Sequence, residues 1–312
     1  MATTHKPHSL KIHPDGASAV ILPDVLNLGM ALNPKIQAEM VASGISPLHA
    51  AINEFKPVLS GATFSIATFL DTVGVSGLCI TAATNAGAVA YWQRFKACGT
   101  PDASGHRSQQ IKSGLLVPKT LSCDNRGDAR ITFELVIVKA SGSAAVILDD
   151  SATLPTITVA SARWTLGPCK INNVALADYT SLEIDFGNQV EAMGTASDIY
   201  DSRVSMRTHA PTIRLKGIDP TWFGSAGVPI GGAAVSASTD YIYLRKRSRD
   251  GDSFVGDATA EHILFTPAGL AGVSEAGRAD AQRVGETELL LTLAVDGSGN
   301  NPLVIDTTAA LP

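Results

Sequence analysis

The stretch Ser181-Leu182-Glu183-Ile184-Asp185-Phe186 alternates polar and apolar residues without a break. Successive side chains of a strand point to opposite faces, so Leu182, Ile184 and Phe186 share one face and Ser181, Glu183 and Asp185 the other. A helix would scatter both sets around its axis. The stretch predicts a half-buried strand, and the same period recurs on both sides of it. Ile131, Phe133, Leu135 and Ile137 alternate. Ile213 and Leu215 alternate with Thr212, Arg214 and Lys216, and Leu289, Leu291, Leu293 and Val295 share one parity. Further strands are expected over 9–13, 18–22, 62–69, 78–84, 88–95, 111–117, 156–166, 203–208, 240–248, 261–266 and 302–306.

Turn chemistry separates these runs. Pro14-Asp15-Gly16, Asn85-Ala86-Gly87, Asp124-Asn125-Arg126-Gly127, Asp250-Gly251 and Asp296-Gly297-Ser298-Gly299 supply residues that tolerate positive φ. Helices are expected over Pro34–Ala42 and Pro47–Phe55, each with a proline near its start and apolar residues at i, i+3, i+4 spacing. A third, over Leu270–Arg283, is interrupted by Gly272 and Gly277. The expected class is mainly β: an antiparallel β-sandwich or barrel with a few short helices. Ser141–Pro155, with its glycine, paired aspartates and proline, is the expected internal boundary. This gives an N-terminal arm and helical segment over 1–60, a β region over 61–155 and a second over 156–312; one intertwined domain would satisfy the same pattern. No internal repeat is legible by eye, although two β halves of about 150 residues would fit the length.

Composition narrows the function classes. The 312 residues are 45% hydrophobic and 17% charged, which excludes disorder for the bulk of the chain. The formal charge is −5. Residues 1–156 hold 12 basic and 11 acidic side chains (+1), and residues 157–312 hold 12 and 18 (−6). A duplex-binding surface normally has a basic surplus, which this chain lacks. Cys79, Cys98, Cys123 and Cys169 form no C-x-x-C pair, so they read as small buried hydrophobes rather than a zinc set or a disulfide framework. The polar start Met1–His8 has no apolar stretch of secretory type. From Pro57 to Gln93 the sole charge is Asp71, but Gly61, Gly74, Gly77 and Gly87 break the run into strand-length pieces. It reads as core or subunit contact, not as a membrane span.

Catalytic and ligand motifs fail on inspection. No G-x-G-x-x-G, Walker A loop, H-E-x-x-H or G-x-S-x-G is present; Gly272-Val-Ser274-Glu-Ala-Gly277 has one residue too many for the last. Asp250–Glu261 has acids at positions 1, 3 and 12 of a calcium loop but Phe254 and Val255 where a ligand and a glycine are needed. Arg126-Gly127-Asp128 is accounted for by its hairpin turn. His5, His8 and His13 cluster without a carboxylate pair, and His49, His106, His209 and His262 are scattered. No enzyme activity, metal or organic cofactor is expected.

The densest charge lies in Tyr241-Ile-Tyr243-Leu-Arg245-Lys-Arg247-Ser-Arg249-Asp250-Gly251-Asp252. As a strand entering an Asp-Gly turn, it places Tyr241, Tyr243, Arg245, Arg247 and Arg249 on one face. Three readings fit: a phosphate stripe with stacking rings, a hairpin that meets acids on a neighbouring subunit, or an exposed hairpin with local pairs. The subunit contact makes these five residues interface candidates.

Three stretches resemble the tail tube (major tail) proteins of tailed bacteriophages. The first is Leu166-Gly-Pro-Cys-Lys-Ile-Asn-Asn-Val-Ala-Leu176, followed by Leu182–Gly187 and by Arg203–Asp219 with Pro211 between two strands. The second is the hairpin around Arg249-Asp250-Gly251, and the third is the ending Leu293–Pro312. The resemblance covers roughly 155–312 and is one of style and strand order. It implies a β-sandwich or barrel subunit with a long hairpin and a flanking helix. Such subunits form homo-oligomeric rings, and the stacked rings enclose a lumen through which DNA passes without specific binding. It implies a virion (tail) location, synthesis in the host cytoplasm, other tail proteins as partners and no membrane span. A capsid decoration or baseplate protein, and a carbohydrate-binding β-sandwich, are the alternatives.

Overall fold

The computed structural model describes residues 4–14, 17–39, 49–81, 87–96, 99–139, 144–157, 162–176, 178–195, 198–218, 222, 240–248, 253–267, 270–280, 283–295, 299 and 301–312. Structural statements below concern these residues.

The chain is built from strands. The first half runs β1 (Thr4–Ile12), β2 (Val20–Leu22), β3 (Val25–Ala31), β4 (Pro34–Glu39), β5 (His49–Phe55) and β6 (Val58–Thr63). After α1 (Ile66–Val73) come β7 (Leu78–Thr81), β8 (Ala88–Phe95), β9 (His106–Ile111), β10 (Ser113–Asp124), β11 (Arg130–Val138) and β12 (Val146–Ala152). The second half runs β13 (Arg163–Ile171), β14 (Val174–Ala175), β15 (Tyr179–Asp185), β16 (Asn188–Met193), β17 (Arg203–His209) and β18 (Thr212–Gly217). It ends with β19 (Tyr241–Arg247), β20 (His262–Pro267), β21 (Leu270–Asp280), β22 (Arg283–Leu293) and β23 (Leu303–Ala309).

All named pairings are antiparallel, and no sheet closes into a barrel. Two five-stranded sheets have the orders β2-β1-β8-β9-β12 and β14-β13-β19-β20-β23. A nine-stranded sheet has the order β3-β6-β11-β10-β15-β18-β22-β21, with β7 beside β10. One apolar core joins them: Leu10 and Ile111 from the first sheet, Ile242 and Phe265 from the second, and Leu59, Ile131, Ile184 and Leu291 from the large one. The uncharged stretch Pro57–Gln93 goes largely into this core, through Leu59, Phe69, Ile80 and Ala90.

The three expected helices are corrected. Residues 34–39 and 49–55 form the hairpin β4–β5, 270–280 form β21, and 283 begins β22, while 40–42, 47–48 and 281–282 lie outside the described residues. Pro34 is the first residue of its strand, a place where its missing N–H costs no ladder bond. In 270–280, pairing with β22 overrides local helix preference. The helix among the described residues lies instead in 66–73, overlapping the end of the strand expected over 62–69; Ile66, Phe69, Leu70 and Val73 occupy i, i+3, i+4, i+7 and are buried. Cys123 and Cys169 are buried, and burial pushes the Cys123 thiol up to about 12. Cys79 is exposed, contrary to expectation, and Cys98 lies outside the described residues.

The two halves repeat one another. Each five-stranded sheet has the same connectivity, and the large sheet divides into β3-β6-β11-β10 and β15-β18-β22-β21, again in matching order. Between β3–β6 and β15–β18 the register is identical at an offset of 154. Val25 faces Thr63 as Tyr179 faces Gly217, and both pairs are followed by the same one-residue bulge. The hairpins β4–β5 and β16–β17 continue these strands with a second shared bulge, Ile36 facing Ile52 as Val190 faces Met206. At the link between each strand and its hairpin stands a positive-φ residue, Asn33 (φ 44) and Gly187 (φ 59).

Local chemistry repeats too. His106 Nδ1 accepts from Arg94 N at 3.1 Å, and His262 Nδ1 from Lys246 N at 3.0 Å. The backbone N–H and side-chain hydroxyl of Ser151 donate to Asp149 Oδ1 at 2.8 and 2.9 Å, as those of Thr308 do to Asp306 Oδ1. Each histidine thus satisfies a backbone donor that sheet pairing leaves over. His262→Leu is expected to destabilise the protein by about 1–3 kcal/mol, because the Lys246 N–H loses its acceptor. A urea titration with unchanged slope and lowered midpoint is the expected readout.

Candidate subunit interface

The Tyr241–Arg247 stripe lies on β19, the central strand of its sheet, hydrogen-bonded to β13 on one side and β20 on the other. Strand parity puts its side chains on one face as the sequence predicts. The rings of Tyr241 and Tyr243 meet edge to face at 5.4 Å, and the guanidinium groups of Arg245 and Arg247 lie 4.4 and 5.9 Å from the centre of Phe254. On either side of the expected turn, Ser248 N donates to Ser253 O at 2.8 Å and Val255 N to Lys246 O at 3.1 Å. Arg249, Asp250, Gly251 and Asp252 lie outside the described residues.

The acids that face the stripe belong to the same chain. Arg245 pairs with Asp257 at 2.5 Å and Arg247 reaches Asp128 at 3.7 Å, and on the opposite face Lys246 pairs with Glu261 at 2.5 Å. Tyr243 is buried, which raises its phenol pKa. In the first half the same positions are Val89, Tyr91, Gln93 and Phe95, so the basic stripe is not part of what repeats. Its cations are locally neutralised, and β19 has no edge to offer.

The other sequence candidates stay apart. His5 and His8 lie in β1, where His5 Nε2 contacts Gly105 O and His8 Nδ1 contacts Ser9 Oγ. Among the described residues, no group of three His, Cys, Asp or Glu side chains is gathered to hold a metal ion. Arg126 (φ 63) sits in the β10–β11 turn, closed by Gly127 N donating to Asp124 O at 2.9 Å. No described helix is long and apolar enough to cross a membrane. Among the described residues, two open grooves have volumes of about 620 and 570 Å³. The larger is walled by both halves, with Lys56 and Glu134 facing Glu191 and Arg207.

What the sequence reading missed is the junction between the halves. The C-terminal half of β10 pairs with β15: Leu121 faces Ile184, Ser122 faces Glu183 and Cys123 faces Leu182. Phe186 N donates to Lys119 O at 2.9 Å. Asn188, 1% exposed, donates its amide to Val75 O and Pro118 O at 2.8 and 3.0 Å and contacts His209 Nδ1 at 2.7 Å. Beyond it, Lys139 pairs with Asp198 at 2.6 Å, Phe55 N donates to Ile199 O at 2.6 Å, and the Phe55 and Tyr200 rings stack at 5.4 Å. Burial raises the pKa of Asp201 in this region, against the pull of Lys56. The junction is thus a continuous sheet reinforced by a docked hairpin.

At the two ends of the large sheet, β3 and β21 each have one side that no described strand pairs. β3 is the counterpart of β15 and β21 the counterpart of β10. The ends therefore carry the two complementary halves of the junction already made in the middle.

No protein-family model and no curated protein matches this chain.

Proposed function

We propose that this chain is a structural subunit of a homopolymer, of the kind found in phage tail tubes: rings that stack around a lumen, with no catalytic role. The observation that carries this reading is the head-to-tail join of two like units into one sheet that ends in two complementary open edges. A heterologous contact of this type propagates from subunit to subunit and closes into a ring where the rotation allows. The acidic balance supports passage of DNA rather than its retention, since a net charge of −5 repels phosphate. The glycan-binding alternative wants clustered exposed rings, whereas Trp164 and Trp222 are buried. In this reading the protein is made in the host cytoplasm and works in the virion tail beside other tail proteins. Negative-stain microscopy of the purified protein is the test: rings or tubes are expected, and a field of single small particles at high concentration overturns the reading.

A further inference from the structure

We propose that a second copy of this chain covers the open edge of β3 with its own β21, in the register that β10 and β15 adopt within the chain. This deepens the assembly reading and rests on it only in requiring that subunits associate.

Residues 154 apart in the two halves are equivalent. In the second half Leu182, Ile184 and Phe186 are 1%, 0% and 0% exposed. Their counterparts in the first half are Leu28, Met30 and Leu32. Leu28 and Met30 are only half-buried, and Leu32 is 51% exposed. The chemistry is the same and the backbone register is the same; what differs is the neighbour. β10 is hydrogen-bonded to β15, whereas no described strand is hydrogen-bonded to the outer edge of β3, which β1 approaches without pairing. Leu28 and Met30 line a cavity of about 290 Å³ whose walls mix apolar Trp92 and Leu148, the latter 68% exposed, with polar His5, Arg107, Gln109 and Asp150. The hairpin tells the same story: Ile36 and Ile52 are 63% and 43% exposed, while their counterparts Val190 and Met206, on the arm that docks against the first half, are each half-buried.

An unpaired, apolar strand edge recruits another strand. The strand with the matching geometry is β21, because it stands in the second half where β10 stands in the first. Its backbone is paired to β22 on one side as β10 is to β11, which leaves its other side open, although the bulges differ: between Pro118 and Leu121 in β10, and between Ala271 and Val273 and between Arg278 and Asp280 in β21. Tracing the ladders through β18–β22 and β6–β11 makes Gly277 the equivalent of Leu121 and Arg278 that of Ser122. The predicted contact between chains therefore sets Gly277 opposite Met30 and Arg278 opposite Gly29.

Directly opposed residues of an antiparallel pair are within disulfide reach. The test oxidises a variant carrying Gly29→Cys and Arg278→Cys, alongside each single variant, and reads denaturing gels and light scattering. A ladder of covalent dimers and higher species in the double variant alone is the expected result. Assemblies that form without the ladder overturn the edge pairing and leave the polymer reading standing. A monomer at every concentration overturns both.

Discussion

Phe186→Ala and Leu32→Ala are expected to give opposite phenotypes, although the two residues occupy one position of the repeat. Phe186 is fully buried where β15 meets the first half. Truncating it leaves a cavity at a junction that cannot collapse without breaking sheet pairing, so a loss of about 3–5 kcal/mol is expected. A loss of that size takes a large share of the stability of an ordinary domain. Leu32 is half in water, and its truncation should change the stability of the isolated subunit by about 0.5 kcal/mol or less. Its cost should appear in association, weakened by at least about tenfold if the residue becomes a buried anchor between chains. Chemical denaturation of both variants, with light scattering over a concentration series, separates the effects. Equal stability losses would mean that Leu32 is already covered within its own chain.

The strands legible in the sequence were those with unbroken alternation. β8 matches the expected 88–95, and β11 and β15 follow from Ile131–Ile137 and Leu182–Phe186. β3 hid because a bulge after Val25 interrupts its period, and β4 and β5 hid because their apolar residues face solvent. In α1 the helical spacing was present, but a β-rich run beginning at 62 masked it. The duplication was invisible for a different reason. Between 25–63 and 179–217, only Leu28/Leu182, Ala38/Ala192, Ala42/Ala196, Ser43/Ser197, Ile45/Ile199 and Pro57/Pro211 are identical. A sheet position demands an apolar group on one face, which Leu59 and Ile213, or Phe133 and Leu289, meet equally well. The proposed interface was illegible for the same reason: Leu182 and Leu28 look alike in sequence, and which of them is sealed depends on what packs against them. The Tyr/Arg stripe was the loudest sequence signal, yet its charges are answered within the chain.

Gly187→Ala is expected to be the most damaging single-atom addition at the junction. Gly187 has φ 59, a left-handed conformation that costs an alanine about 1–2 kcal/mol. The counterpart Asn33 shows that a side chain at this point in the repeat is compatible with the backbone: it adopts φ 44, and its amide donates to Lys56 O at 3.1 Å. In the second half the room is gone, because a Cβ on Gly187 would overlap the carbonyl carbon and oxygen of Ala210. Those atoms are backbone, held between β17 and β18, and cannot swing aside as a flexible side chain would. Displacing them adds about 1–3 kcal/mol, for a total of about 2–5 kcal/mol. The strain falls between Phe186 and Asn188, the two residues that tie the second half to Lys119, Pro118 and Val75. Asn33→Gly, by contrast, removes one exposed hydrogen bond and adds unfolded-state freedom, so it should cost no more than about 1 kcal/mol. Denaturation midpoints of the two variants measure the asymmetry. A Gly187→Ala protein as stable as the parent would mean that the β15–β16 link relaxes freely, and that the docked hairpin does not hold the halves together.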